Sequence, residues 1–225
     1  MPSADDVRRS GRAVPLGEVT VHVAPAAGPD APPPQPVPDD VAVSLPVPSP
    51  PPGDPAGAVD GPTLLVAGPA GSTVEVLTDG TAVLRGGDVV VGVVPQGARL
   101  SAGADGLLEI RGLAREEGVA GDARVVVGGD PLLSADWADR GDEGGLSLVV
   151  VPRPWVRAGG AAGVEAVWSA LGARADLGAD AVAPGMRDQL ECHAVGAPDK
   201  ESWNLEPWRP DVGLLATLTA RCNPD

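Results

Sequence analysis

The chain has 225 residues, enough for one large domain or two small ones. Its 16 basic and 31 acidic residues give a net charge of −15. Such a surface repels phosphate backbones and anionic lipid headgroups, which argues against nucleic-acid binding and membrane adsorption as functions. No apolar run approaches the roughly 20 residues of a membrane-spanning helix. The chain contains no Tyr and no Phe, so Val, Leu, Ala and Trp must build any core.

Residues 1–60 are rich in proline, which occurs singly and in runs from Pro15 to Pro55. Such a composition favours extended polyproline conformations over sheet pairing. We therefore predict a disordered Pro-rich tail, within which only the alternating valines of Glu18–Val23 allow a short strand.

Residues 61–131 predict a small all-β module, rich in hairpins. Short apolar runs alternate there with turn residues, and the Asp79-Gly80 pair is typical of a tight hairpin. This stretch contains no His or Cys, so we expect a structural role. The predicted strands are Thr63–Ala67, Thr73–Leu77, Thr81–Leu84, Val89–Val94, Gly106–Ile110 and Arg124–Val127.

The remaining segment, residues 134–225, predicts an α+β domain: a small antiparallel sheet with two helices. Leu146–Val151 is an apolar strand stopped by prolines. Ala161–Leu171 has apolar residues at helical spacing, and a second helix begins near Pro184 and runs to about Val195. Apolar and polar side chains alternate in Val212–Arg221, which predicts a final strand.

Rare residue types are concentrated between residues 192 and 223. Both cysteines, one of the two histidines, the only lysine, both asparagines and two of the five tryptophans lie there. Because the rest of the chain is built mostly from Ala, Gly, Val, Pro, Asp, Leu and Arg, side-chain identity must matter in this window.

The same window carries a resemblance to a known family. The segments Pro184–Gln189, Cys192-His193, Ser202–Pro210 and Cys222–Pro224, together with Lys200, resemble the actinobacterial family called domain of unknown function 2599. The resemblance covers residues 134–225. The β module is similar to segments that precede C-terminal domains in secreted actinobacterial proteins. The resemblance thus implies an exported protein whose leader is absent from this chain, and it implies no activity. The sequence without the resemblance indicates a cytoplasmic protein.

Cys192 and Cys222 could form a disulfide, remain free thiols or hold a metal with His193. A disulfide would close a loop of 29 intervening residues and contribute roughly 3–4 kcal/mol of stability in the loop-entropy model. Adjacent residues seldom ligate one zinc, and no fourth Cys or His is near. The exported context that the resemblance implies favours the disulfide. We expect no metal and no cofactor.

The candidate catalytic residues are His193, Glu206 and Lys200. His193 could act as a general base oriented by Glu206, with Lys200 or Arg209 stabilising negative charge. Alternatively, His193 is part-buried and bonded to a backbone carbonyl or to Glu206. The sequence leaves both interpretations open.

The segment 203–210 is either a structural clasp over the sheet or a recognition ridge. Its prolines restrict the backbone, and a guanidinium can stack on an indole. We expect Trp203 to point inward and Trp208 to be partly exposed. The candidate binding residues are Trp203, Asn204, Glu206, Trp208 and Arg209.

Two function hypotheses follow. The first is a non-catalytic extracellular or cell-wall interaction module that binds a protein or a cell-wall glycan. The second is a small secreted hydrolase or toxin-like effector that uses His193 and Glu206.

Overall fold

The computed structural model describes residues 2–26, 37–39, 41–48, 61–113, 123–141 and 144–225. The chain divides into two compact units, Met1–Asp130 and Pro131–Asp225. All five tryptophans lie in the second unit, so tryptophan fluorescence reports on that unit alone.

In the described residues, the first unit contains one α-helix, one short 3-10 helix (Ala104–Gly106) and two antiparallel sheets. Helix α1 spans Ala4–Ser10. The strands are β1 (Arg12–Leu16), β2 (Val19–Pro25), β3 (Val37–Asp39), β4 (Ala42–Pro46), β5 (Leu64–Ala67), β6 (Thr73–Val76), β7 (Ala82–Gly86), β8 (Val89–Gln96), β9 (Ala98–Ala102), β10 (Leu107–Gly112) and β11 (Arg124–Gly128). The strand orders are β1-β2-β5-β10-β9 in one sheet and β3-β4-β11-β8-β7-β6 in the other.

The core of this unit is aliphatic and draws on both sheets. Because side chains alternate along a strand, β5 contributes Leu64 and Val66 to that core. Leu65 on its opposite face packs with Ala4 and Val7 of α1 in a second cluster. Burial on both faces explains why β5 is an uninterrupted apolar run.

The predicted hairpin between β6 and β7 is present. The hydroxyl and backbone N–H of Thr81 both donate to Oδ1 of Asp79, at 2.6 and 3.0 Å. Gly80 has a φ of +84°, which glycine adopts without a steric penalty. The Asp-Gly pair therefore fixes this turn.

The prediction of a disordered tail is wrong for the described residues 4–16, 37–39 and 42–46, whereas the short strand that the valines of Glu18–Val23 allow is present as β2. Ser3 and Asp6 form a capping box at the start of α1, β2 pairs with β5, and β4 pairs with β11. The prolines do not prevent pairing because Pro15 lies in an edge strand and Pro25 and Pro46 end their strands. Residues 27–36, 40 and 49–60 of the predicted tail lie outside the described residues.

In the described residues, the second unit combines a small antiparallel sheet with four α-helices and two short 3-10 helices, Ala175–Leu177 and Ala179–Val182. Its elements are β12 (Leu132–Asp139), β13 (Leu146–Pro152), α2 (Pro154–Arg157), α3 (Gly160–Ala173), α4 (Met186–Gly196), β14 (Trp203–Leu205) and α5 (Leu214–Thr219). The strand order is β12-β13-β14. The mixed α/β class is as predicted, and the two long helices α3 and α4 correspond to the two that the spacing indicates. No helix in the described part of the chain is long and apolar enough to cross a bilayer.

Both long helices bury the stripes that their sequences indicate. Val164, Val167 and Leu171 of α3 are buried. Met186 and Leu190 of α4 are completely inaccessible to solvent. The amphipathic pattern therefore places both helices correctly against the core.

The predicted strand at Val212–Arg221 is wrong, since residues 214–219 form helix α5. Gly213 precedes the helix with a φ of +80°, and its carbonyl accepts from both the backbone N–H and the hydroxyl of Thr217. Leu and Ala are strong helix formers, and a short apolar run does not distinguish a strand from a helix.

The disulfide prediction is confirmed. Cys192 of α4 is bonded to Cys222, with the two Cα atoms 5.5 Å apart. Both cysteines of the chain are thus paired, which rules out free thiols and a Cys-ligated metal here. The bond links α4 to the turn that follows α5.

Reduction of this disulfide should destabilise the second unit by roughly 3–4 kcal/mol, because it frees a 30-residue loop in the unfolded chain. We expect a lower urea midpoint by tryptophan fluorescence for reduced protein and for the Cys192→Ala/Cys222→Ala variant. The double variant should not respond to reductant, which controls for other effects of the reagent. Equal midpoints for oxidised and reduced protein would contradict a stabilising role.

Candidate functional site

The segment 203–210, here called the motif segment, begins as the edge strand β14. Trp203 pairs with Val150 of β13, and Leu205 pairs with Leu148. Trp203 and Leu205 are buried on one face, whereas Asn204 between them is only partly buried. The strand therefore directs its two apolar side chains into the core of the second unit.

Trp203 is 0% exposed and has its polar atom satisfied. Its indole N–H donates to the carbonyl of Ala197 at 3.0 Å. The Arg157 guanidinium lies 5.8 Å from the ring centroid. Arg157 also donates to the carbonyls of Pro198 and Glu201, each at 2.8 Å. Trp203 and Arg157 thus hold the loop between α4 and β14, and Trp203 is not available to a ligand.

The Glu206 carboxylate is buried, at 3% exposure, and both of its oxygens are occupied. Oε1 accepts from the Ser147 hydroxyl at 3.0 Å, and Oε2 accepts from Nε of Arg209. The backbone of Glu206 is bonded in both directions to the Gln189 amide, at 2.8 and 3.0 Å. A buried charge with a paired guanidinium and further hydrogen bonds avoids the large cost of an isolated one.

His193 is buried and bonded to the backbone. Its Nε2 lies 3.0 Å from the carbonyl oxygen of Asn204, so this nitrogen donates and Nδ1 is the acceptor in the neutral ring. Nδ1 is buried and has no hydrogen-bond partner among the described residues. Burial, and to a lesser extent the charge of Lys200, lowers the pKa of His193, outweighing the Asn204 carbonyl and the Glu206 charge, which raise it.

The structure does not join His193 and Glu206 in a catalytic pair. The imidazole N–H is directed to a carbonyl, and the carboxylate oxygens are bonded to Ser147 and Arg209. Lys200 is exposed and makes no ion pair with Glu206. No cluster of His, Cys, Asp and Glu suited to a metal ion occurs in the part of the chain that the structure describes.

Ser147 and Gln189 are site residues that the sequence prediction missed. Ser147 is 0% exposed within the apolar strand β13, and Gln189 is buried within α4. Polar side chains at otherwise apolar positions were the available signal, since buried polar groups need partners. A serine, a histidine and a carboxylate are therefore present, but the serine hydroxyl donates to the carboxylate and the group is closed to solvent.

Arg209 fastens the other end of the motif segment. Besides Glu206, its guanidinium donates to the carbonyl of Pro224 at 3.1 Å and to the carboxylate of Asp225 at 2.9 Å. With the amide oriented to match its donors, the side-chain oxygen of Asn204 accepts from Arg140 at 2.9 Å. These polar residues connect separate parts of the second unit.

Trp208 is the exposed aromatic of the segment, at 37% exposure. The Arg209 guanidinium lies 4.4 Å from the centroid of its ring. A Cβ added at Gly145 would lie 2.5 Å from Cδ1 of the pyrrole ring, and one at Gly144 would lie 3.4 Å from Cζ3 of the six-membered ring. Both glycines thus approach the indole closely, and Arg209 lies over its ring.

Comparison with known proteins agrees with the sequence motifs. The family model described as "Protein of unknown function (DUF2599)" matches residues 133–225. Uncharacterized proteins of Mycobacterium bovis and Mycobacterium tuberculosis are 38% identical over 95 residues, which cover 40% of this chain and 62% of each relative. No solved structure matches the chain. The C-terminal part of the chain, residues 133–225, is thus similar to the DUF2599 family.

Proposed function

We propose that the second unit is a non-catalytic interaction module of an exported protein. The observation that carries this proposal is the occupation of His193 and Glu206 by internal hydrogen bonds. A general base needs a free lone pair within reach of a substrate proton. The accepting nitrogen of His193 is buried, and neither carboxylate oxygen of Glu206 is open to solvent.

The motif segment then acts as a clasp. Glu206 connects β13 through Ser147, α4 through Gln189, and the last residues of the chain through Arg209. These bonds and the burial of Trp203 account for the rare residue types of the motif segment. No catalytic step is needed to explain their presence.

Export is supported by the disulfide and by the family resemblance. Disulfides persist in oxidising compartments and are rare in the cytosol, where thiols are kept reduced. Both cysteines of this chain are used in one bond within the second unit. An exported location gives that bond a stable environment.

A protein partner fits the surface better than a cell-wall glycan. Sugar rings bind tryptophan by stacking on a free indole face. The Arg209 guanidinium lies over the ring of Trp208, and Gly144 and Gly145 approach its ring atoms closely, which restricts such stacking. The 37% of Trp208 that is exposed can still pack against protein side chains.

In its source cells, the protein should be recovered from the envelope or the culture medium, and purified protein should not catalyse hydrolysis. We expect panels of ester, peptide and glycan substrates to show only the uncatalysed rate. The His193→Gln variant should give the same rates as the unchanged protein. Turnover that this variant loses while keeping its melting temperature would establish the hydrolase hypothesis instead. Recovery only from the cytoplasm would contradict export.

Trp203→Ala should strongly lower the free energy of unfolding of the second unit, whereas Trp208→Ala should lower it only slightly. Removing a fully buried indole costs about 3–5 kcal/mol, a large share of the roughly 5–15 kcal/mol that stabilises a domain. Because Trp208 is 37% exposed, its replacement by Ala should cost much less stability. Urea unfolding followed by the remaining tryptophans measures both values. Equal large losses would show that Trp208 is also part of the core.

The stability of the second unit should fall as the pH drops below about 6.5. Burial lowers the pKa of His193 below its ordinary value of 6.5, so on acidification the unfolded chain takes up this proton first. The free energy of unfolding is therefore greatest above pH 6.5 and decreases toward the folded-state pKa. His193→Gln should flatten the profile between pH 7.5 and 5.5 when unfolding is followed by tryptophan fluorescence.

His22→Gln provides the control for this measurement, because His22 lies in the first unit, which contains no tryptophan. The fluorescence profile of this variant should keep the slope of the unchanged protein. A slope that persists in His193→Gln would assign the pH dependence to other groups.

A further inference from the structure

Helix α5 presents its leucines to solvent. Leu215 is 80% exposed, and Leu214 and Leu218 are each exposed over more than a third of their surface. The buried residue of this helix is Thr217. This arrangement is the reverse of an ordinary surface helix, which buries its apolar face and exposes its polar residues.

The three leucines form one surface. At 100° per residue, positions 214, 215 and 218 fall within an arc of about 100°, and Thr217 lies outside that arc. We call Leu214, Leu215 and Leu218 the leucine face. Val212, just before the helix, is also 43% exposed and extends the apolar character of this stretch.

We propose that the leucine face binds an apolar groove, rimmed by basic side chains, on a partner protein. This inference rests on the proposed interaction function and names the surface and the partner's chemistry. Every residue from Asp211 to Ala216 is exposed, so this stretch is open to a partner. Such a helix is suited to enter a groove, and leucines at i and i+4 are typical anchors of that binding mode.

A second copy of the chain does not fit this surface. Six helical residues span only about 9 Å, whereas a stable interface buries about 800 Å² on each partner. Two leucine faces packed on each other would bury far less. A partner that surrounds the helix can supply the missing area from its own groove.

The net negative charge of the chain indicates which side chains should line the rim of the partner's groove. A net charge of −15 opposes a second copy and also anionic membrane headgroups, and it attracts a basic surface. Asp211 is exposed next to the helix, and the side chain of Asp225 is 98% exposed. Basic side chains at the rim of the partner's groove would meet these carboxylates.

The disulfide helps to hold helix α5 in its helical conformation before a partner binds. Cys222 is bonded to α4, and its backbone N–H donates to the carbonyl of Thr217 at 2.9 Å. At the other end, Thr217 is bonded to Gly213. Holding a recognition helix in its bound conformation reduces the entropy lost on association. Oxidised protein should therefore bind more tightly than reduced protein.

Site-specific photocrosslinking in the source cells tests the proposal. A photoreactive amino acid replaces Leu215 in the full chain, and a matched chain carries it at Leu133, an exposed leucine of β12 with 56% exposure. We expect an adduct with one protein from position 215 and none from position 133. That protein should contain an apolar groove with basic side chains at its rim.

The Kd for the purified partner, measured with variants at Leu215 and Leu133, then shows whether the leucine face is the binding surface. Leu215→Ser should raise the Kd about tenfold or more without lowering the melting temperature, and reduction of the disulfide should also weaken binding. Leu133→Ser should leave the Kd unchanged. An adduct with a second copy, or with no protein, would overturn the proposal, as would binding of the full chain to vesicles of phosphatidylglycerol and phosphatidylethanolamine through Leu215.

A partner whose affinity depends on Leu133 or Trp208 and not on Leu215 would overturn the leucine face and leave the interaction function intact. Turnover of a substrate by the purified protein would instead count against the interaction function. The two proposals can therefore fail separately.

Discussion

The buried ion pair between Glu206 and Arg209 is the interaction on which the second unit depends most. Both charges are largely buried, so each needs its partner and further hydrogen bonds. The carboxylate accepts from Ser147 on the central strand, the guanidinium donates to the carbonyl of Pro224 near the last residue, and the Glu206 backbone is bonded to Gln189 on α4. The carboxylate and the guanidinium thereby hold β13 and the last residues of the chain, while the backbone of Glu206 holds α4 through Gln189.

The disulfide and the ion pair together hold the last residues of the chain in place. Arg209 binds the carbonyl of Pro224, and Cys222 is covalently linked to α4. Between them, α5 needs little apolar burial of its own to stay in place. That freedom allows its leucines to face solvent, a placement that would otherwise forfeit the hydrophobic stabilisation that normally holds a helix.

Much of the fold follows from local sequence patterns, and the exceptions have physical causes. Alternating valines, the Asp79-Gly80 turn and the stripe of Val164, Val167 and Leu171 indicated most strands and a long helix, because period and turn chemistry are local properties. Helix α1, strand β4 and helix α5 were mispredicted because their structure depends on distant partners: β5 for α1, β11 for β4, and Cys192 for the end of α5. In the site, the concentration of rare residues between residues 192 and 223 is visible in the sequence. The bonding of their side chains is not, since only the fold shows that the Ser147 hydroxyl donates to a carboxylate oxygen of Glu206.

The glycines beneath Trp208 have a consequence for how this domain can evolve. A Cβ at Gly145 would overlap the indole at 2.5 Å, so any larger residue there requires a smaller or displaced side chain at position 208. The two positions lie 63 residues apart in the chain but form one steric unit. Among relatives of this domain, replacement of the glycine should therefore be accompanied by loss of the tryptophan, a covariation that would report the contact between the two positions.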